Sequence, residues 1–299
     1  MSNSGSILIT GATGFLGSYL TKYLVTRSTD IIVLKRKQSP LGRIEAVLPN
    51  LKAIYDADDD GVKKAFKNHK IDTVIHCATD YGRKHSDSLK VVQANLILPL
   101  SILQEGKKNG LKHFINTDTL LDKRVSEYSL SKKQFKEWLQ NDSQNLVLVN
   151  VAIEHFYGPT DDKSKFVSWV ISQFLSNATE LRLTAGEQKR DFIFYTDVVN
   201  ALNTILKWVN KTNADYYHFE IGTGTTTSIK NLVLSIAQIC HNSSTQIIFG
   251  EIPYRQNEAM DVKVNLEAIS KLGWLAEVDL LKGLNLTIEF EKQLLARNQ

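Results

Sequence analysis

The stretch Ile7-Leu8-Ile9-Thr10-Gly11-Ala12-Thr13-Gly14-Phe15-Leu16-Gly17 decides the fold. Ile7, Leu8 and Ile9 form the short apolar run of a buried parallel strand. Gly11, Gly14 and Gly17 follow at three-residue spacing. Beyond them Phe15, Leu16, Tyr19, Leu20, Tyr23 and Leu24 recur at helical spacing. Strand, glycine turn and helix together aim backbone N–H groups and a positive helix end at an anion, of which a pyrophosphate is the usual case. Glycine lets the backbone come close to the phosphates and lets the helix lie close to the strand.

The same alternation continues outward from this unit. Apolar strands are expected at 7–10, 30–34, 51–55, 73–77, 112–116 and 146–151, with helical stretches near 14–27, 59–68, 87–109 and 127–140 between them. That rhythm predicts an α/β fold with a parallel, doubly wound sheet. The second half has a different texture. Asp161 and Asp162 are expected to cap a helix carrying Phe166, Trp169, Val170 and Phe174; Asp197 is expected before another, Ser228 caps a third and Asp279 opens the last.

The chain has 299 residues, 42% of them hydrophobic, which suits one large α/β unit with a smaller lobe. The net charge of +4, from 36 basic and 32 acidic residues, is too mild and too dispersed for a nucleic-acid partner. Cys77 and Cys240 lie far apart without metal-type spacing and read as packed thiols. No run approaches the ~20 apolar residues of a membrane span, and the N-terminus lacks a secretory pattern. A reduced, cytoplasmic setting is expected, with no metal.

A second signal lies at Tyr128-Ser129-Leu130-Ser131-Lys132. Residues four apart share a helix face. An ammonium beside a phenol is expected to lower its pKa from about 10 toward working pH, giving a proton donor suited to alcohol–ketone chemistry. With the glycine turn, this points to a redox enzyme that uses a nicotinamide cofactor. The strand at Asp30–Leu34 ends in Lys35-Arg36-Lys37, where an NAD site usually has a carboxylate on the ribose 2′-hydroxyl. Cations there favour a 2′-phosphate, so NADP(H) is expected, with Arg36 the main contact and Lys35 or Lys37 secondary; a solvated basic loop is the plainer reading.

The Gly-x-x-Gly-x-x-Gly turn, the Tyr-x-x-x-Lys pair, His76-Cys77-Ala78, Tyr157-Gly158-Pro159 and Gly186-x-Gln188-x-Arg190-Asp191-Phe192 together resemble the extended short-chain dehydrogenase/reductase family, also called the NAD-dependent epimerase/dehydratase family. The resemblance covers nearly the whole chain. It implies a Rossmann-type domain over residues 1–158, to which the chain returns at about 190–222, and a smaller nucleotide-sugar-binding lobe mainly over 159–299. It implies cofactor contacts from Gly11, Thr13, Gly14, Phe15, Leu16, Gly17, Lys35, Arg36, Asp56, Cys77, Ala78, Thr79 and Asn95, and catalysis by Tyr128 and Lys132. A hydroxyl at the end of the fifth strand completes the set; Thr119 and Thr117 both qualify, with Thr119 favoured. His76 is structural in the family. Asp80, Tyr81 and Arg83 would touch the sugar, and Arg190 and Arg255 would clamp the diphosphate. The plainer reading of Arg190 is an ion pair with Asp191 or Asp197.

Three functional readings stand at this point. A 4-keto reductase acting with NADPH on a CDP- or dTDP-activated 4-keto-6-deoxyhexose, in bacterial surface polysaccharide synthesis, fits the basic strand end. Epimerases usually carry the acidic residue absent here. The 4,6-dehydratases carry Asp-Glu after the catalytic Thr, whereas Asp118 is followed by Thr119. A nonenzymatic dinucleotide sensor would generally have lost the Tyr–Lys pair. The family often pairs through its fourth and fifth helices, which implies a homodimer.

Overall fold

Apolar runs and amphipathic stretches follow one another along the chain, and the computed structural model, which describes residues 5–27, 30–83, 87–142 and 145–297, shows what each becomes. The strands are β1 (Ser6–Thr10), β2 (Ile31–Lys35), β3 (Ala53–Asp56), β4 (Ile71–His76), β5 (His113–Thr119), β6 (Val147–Ile153), β7 (His155–Tyr157), β8 (Glu180–Leu183), β9 (Lys189–Phe194), β10 (Asp215–Ile221), β11 (Thr226–Ser228) and β12 (Gln246–Phe249). The helices are α1 (Phe15–Val25), α2 (Asp59–Asn68), α3 (Ser88–Val92), α4 (Leu98–Lys108), α5 (Glu127–Gln140), α6 (Phe166–Leu175), α7 (Tyr195–Val209), α8 (Ile229–Cys240), α9 (Glu267–Ser270) and α10 (Leu280–Arg297).

Seven strands form one sheet in the order β10-β6-β5-β4-β1-β2-β3. The pairs β1–β2, β2–β3, β1–β4 and β4–β5 are parallel. Every residue of β1, β4, β5 and β6 is buried, as strands covered on both faces must be, which is why β1 and β6 read as largely apolar runs rather than as alternating ones. This is the Rossmann-type doubly wound sheet. The strand order reverses between β1 and β4, and ligands of such sheets sit outside the carboxyl ends of the strands at that point.

The chain divides into two compact units. One comprises Met1–Ala152 with Leu202–Phe219, the other Ile153–Ala201 with Glu220–Gln299. In the first, Leu8, Ile32, Val74 and Phe114 of the sheet pack with Phe66 of α2, Leu103 of α4 and Phe135 and Leu139 of α5. In the second, Phe174 of α6, Phe192 and Phe194 of β9, Ile236 of α8 and Ile288 of α10 form a separate core. Residues 190–201 belong to this second unit, because β9 pairs with β7 and β11.

Local chemistry explains several helix ends. Ser228 accepts the Asn231 N–H at 3.1 Å, and Asp279 accepts that of Lys282 at 2.9 Å, as expected of caps. Asp161 and Asp162 do not cap α6. Its N-cap is Lys165, whose ammonium pairs with Asp161 at 3.2 Å. Asp197 lies inside the first turn of α7 and instead accepts the N–H groups of Glu277 and Val278 at 3.1 and 2.9 Å. The stretch expected as one helix over 87–109 is α3 and α4 joined by a π turn at Gln93–Ile97. Pro99 has no N–H to give the carbonyl four residues back, that of Asn95, and the helix widens just before it.

Candidate active site

At the end of β1 the chain turns through Gly11 at φ +69°, a left-handed conformation that suits glycine. A Cβ on Gly11 would lie 2.6 Å from the Ala78 nitrogen, and one on Gly17 would lie 2.2 Å from the Gly11 carbonyl oxygen. The turn, the first turn of α1 and the exit of β4 are therefore in backbone contact. Gly14 is the N-cap of α1 and has no side chain with which to cap it, so the positive end of an 11-residue helix is left to a ligand. Thr13 beside it is half-buried, while Phe15 and Leu16 are buried in the helix. These residues fit a dinucleotide pyrophosphate.

The ends of β2 and β3 sort the basic residues. Lys35 donates to the carbonyls of Arg36 and Lys37 at 3.2 and 3.0 Å and lies 3.8 Å from Asp56. It is thus engaged with its own turn. Arg36 is exposed and carries no carboxylate partner among the described residues.

His76, at the end of β4, is fully buried. The Thr10 hydroxyl accepts from the Ala78 N–H at 3.1 Å and lies 2.8 Å from His76 Nδ1. Burial and the nearby Lys132 ammonium hold the imidazole well below its usual range, so it is neutral and ties β1 to β4. Beyond it, Asn95 is wholly buried in the π turn. Its Oδ1 accepts from the Asp80 N–H at 2.8 Å and the Thr79 hydroxyl at 3.2 Å. Its Nδ2 donates to the Asp80 carbonyl at 2.8 Å and to Ser131 Oγ at 3.0 Å. One amide thereby binds the loop after β4 to helix α5. Tyr81 on that loop packs against Tyr128, with ring centroids 4.7 Å apart, and Arg83 lies 5.0 Å from the Tyr81 ring.

Helix α5 starts in a capping box between Ser126 and Ser129, which places Tyr128 in its first turn and Lys132 one turn on. The Lys132 ammonium is buried and makes no hydrogen bond among the described residues. Burial draws it down to about 8, against the opposing pull of Asp118 and of Cys77. Cys77 in turn is pushed up to about 12 by burial. A buried ammonium with no described partner fits a role in holding hydroxyls of a bound dinucleotide.

The expected acidification of Tyr128 by Lys132 is not what the geometry gives. Burial raises the phenol well above its usual range, Tyr81 and Asp118 add to this, and a hydrogen-bonding interaction with the Thr119 side chain opposes it, as does Arg83. The Lys132 ammonium is itself set by burial, Asp118, Cys77 and Lys133. Desolvation outweighs any help from the helix face the two residues share.

The two threonines of β5 differ in use. Thr117 donates its hydroxyl to the His76 carbonyl at 3.0 Å and so joins β5 to β4. Thr119 accepts the Leu121 N–H at 3.2 Å, and its side chain is the one that opposes the rise of the Tyr128 phenol. Asp118 points to the other face of the strand. Its carboxylate accepts from the Thr119 N–H at 2.7 Å and from Asn150 Nδ2 at 2.9 Å, and it pairs with Lys133 at 3.2 Å. Sequence reasoning passed over Lys133, Asn150 and Ser131. The doubled lysine after the Tyr-x-x-x-Lys pair was the available sign.

In the second unit, Arg190 is buried and donates to the carbonyls of Lys189 and Ala259 and to the carboxylate of Glu258. Its ion pair is thus with Glu258 and not with Asp191 or Asp197. Asp191 is occupied by Thr223 and the Gly224 N–H. Arg255 is exposed. Among the described residues no group of His, Cys, Asp or Glu could hold a metal, and no helix is long and apolar enough to cross a membrane.

Comparison with known proteins agrees with this geometry. Residues 7–222 match the NAD dependent epimerase/dehydratase family, and the chain belongs to that family. It is 32% identical to a CDP-abequose synthase of Salmonella muenchen over 93% of this chain and 94% of that one. It is 24% identical to the human dTDP-D-glucose 4,6-dehydratase over 96% and 90%. In fold it is similar to the UDP-glucose 4-epimerase of Thermotoga maritima in complex with UDP-glucose, with a TM-score of 0.85 at 22% identity over 97% and 99% of the chains. The UDP-glucuronic acid 4-epimerase of Bacillus cereus, solved with UDP-glucuronic acid and NAD, gives the same TM-score, identity and coverage.

Proposed function

We propose that this chain is an NADPH-dependent reductase of the 4-keto group of a CDP- or dTDP-activated 4-keto-6-deoxyhexose, serving bacterial surface polysaccharide (O-antigen, lipopolysaccharide) synthesis in the cytoplasm. The family and its relatives support the coarser statement, an enzyme that modifies nucleotide sugars with a nicotinamide dinucleotide. The single observation that carries the finer one is the setting of Tyr128 in the first turn of α5, with the buried Lys132 ammonium, which meets no described partner, one turn on. Arg36, exposed at the end of β2, supports NADPH over NADH.

When bound, the dinucleotide supplies the hydride. Tyr128 gives its proton to the ketone oxygen as negative charge grows there, and a phenol held above its usual range keeps that proton until the oxygen is basic enough to take it. The Thr119 hydroxyl adds a hydrogen bond that strengthens with the same charge. Lys132 holds the nicotinamide ribose and balances the phenolate that remains. Tyr81 packs against Tyr128 and Arg83 lies over the Tyr81 ring, and both are assigned to the sugar with Asp80; the exposed Arg255 is assigned to the diphosphate with Arg190, which would exchange its bond to the Glu258 carboxylate for it. The dehydratase reading is disfavoured because Asp118 is already engaged by Lys133, Asn150 and the Thr119 N–H. A homodimer through the helices at 88–108 and α5 is part of the proposal, supported by Leu130 and Trp138, which are exposed on α5.

The test is a panel of CDP-, dTDP-, GDP- and UDP-4-keto-6-deoxy sugars with NADPH, read by absorbance and by product NMR. Oxidation of NADPH that requires one of these sugars, and that falls at least ~10²-fold in Tyr128→Phe with cofactor affinity kept, is expected. Cofactor that stays bound through purification with no net turnover would instead mark an epimerase, and binding without any chemistry a sensor.

A further inference from the structure

Thr119 ends β5 and Tyr128 lies in the first turn of α5, and the reductase reading needs both hydroxyls on one ketone oxygen. The structure shows what holds that junction. The Lys133 ammonium, on α5, reaches back to β5 and donates both to the Asp118 carboxylate, at 3.2 Å, and to the Thr119 carbonyl oxygen. The Asp118 side chain is wholly buried and that of Lys133 is four-fifths buried. Asp118 itself accepts the Thr119 N–H at 2.7 Å. The Thr119 peptide groups are thus gripped from both sides, the N–H by Asp118 and the C=O by Lys133. Asp118 is anchored in turn by Asn150 Nδ2 at 2.9 Å, and Asn150 Oδ1 accepts from Asn116 Nδ2 at 2.7 Å, which ties the pair into β5 and β6.

We propose that Lys133 is a positioning residue, which fixes the end of β5 to α5 and so sets the Thr119 hydroxyl relative to Tyr128. This rests on the reductase reading for its kinetic consequence, though not for its structural one. A buried ion pair adds little net stability over apolar packing, and its retention fits a role in fixing geometry. A displacement of about 1 Å in a catalytic group is worth on the order of 10²-fold in rate.

Loss of Lys133 alone would strand a buried carboxylate and could unfold the chain. The test therefore compares Asp118→Asn with the double variant Asp118→Asn/Lys133→Met, in which no charge is left unpaired. The measurements are kcat and KM for sugar and for NADPH, thermal unfolding, and hydrogen exchange of the Thr119 and Leu121 amides in the cofactor-bound protein. Asp118→Asn keeps the Lys133 bond to the Thr119 carbonyl. The double variant is expected to fold and to keep both KM values within about threefold. Its kcat should lie about 10²-fold below that of the single variant, with exchange at Leu121, whose N–H is held by Thr119 Oγ1, at least ~10-fold faster. Rescue of kcat by Lys133→Arg in the native background would add support. Equal kcat in the single and double variants overturns the proposal, and so does a fall in kcat without faster exchange. If the native enzyme reduces none of the sugars, the reductase reading has failed, and the exchange rates alone decide this one.

Discussion

Replacing Lys132 by Met should make the cofactor-free protein more stable while destroying its use. The ammonium is buried and makes no hydrogen bond among the described residues, and its pKa is drawn from an ordinary 10.5 to about 8. At about 1.4 kcal/mol per pH unit, holding that charge at pH 7 costs on the order of 3 kcal/mol. Methionine has a similar shape and no charge to desolvate. An unfolding entropy of roughly 2 cal/mol/K per residue converts this to a rise in Tm of about 5 °C if the chain unfolds as one. The dependence on pH carries a definite sign. The folded pKa lies below the unfolded one, so between about 8 and 10.5 it is the unfolded chain that keeps the proton. Stability of the native protein therefore rises with pH through that window. The advantage of Lys132→Met is full well below pH 8, falls to less than half near pH 9.5 and disappears above the unfolded value. Scanning calorimetry of both proteins at pH 7 and 9.5 measures this. Added NADP(H) should stabilise the native protein more than the variant, reversing the gap. A variant that is less stable at pH 7, or a gap that widens with pH, would refute the reasoning.

The two threonines of β5 should separate by kinetics: Thr119→Val is expected to lower kcat by about 10²-fold. Thr117→Val should instead cost about 1 kcal/mol of stability, from the lost bond to the His76 carbonyl, with kcat changed only a few-fold; the opposite ranking would move the catalytic role to Thr117. Arg36→Asp should raise KM for NADPH at least ~10-fold and leave that for NADH unchanged or lower, and an equal effect on both would remove the 2′-phosphate assignment. Gly17→Ala places a methyl where the Gly11 carbonyl already stands, 2.2 Å away, so dinucleotide affinity by fluorescence titration should fall at least ~10-fold.

The first half of the chain was legible because its buried strands are continuous apolar runs and its helices are amphipathic. The expected 59–68 and 127–140 coincide with α2 and α5. The second half was less so. Its strands β7, β8, β11 and β12 have three or four residues each, too short for a period of two to register. Asp197 shows the other limit. A carboxylate before an apolar stripe reads as a cap, yet here its acceptors are taken by Glu277 and Val278, some eighty residues away, and only tertiary structure can reveal that. Within the site, residue identities and spacing named Tyr128, Lys132 and the glycine turn. They could not give the protonation of Tyr128, since desolvation depends on what covers a group and not on its neighbours in sequence.

The π turn at Gln93–Ile97 carries one residue more than an α-helical turn, and Asn95 sits within it. Excision of that extra residue, for instance Leu96, would let a regular helix run on into α4. It would also swing everything upstream through about 100° relative to α4. The amide that now fastens Asp80 and Ser131 would then face elsewhere. A shorter, more regular helix would thus come at the expense of the latch between the loop after β4 and the tyrosine helix, so the irregularity sets a register that no point substitution can reproduce.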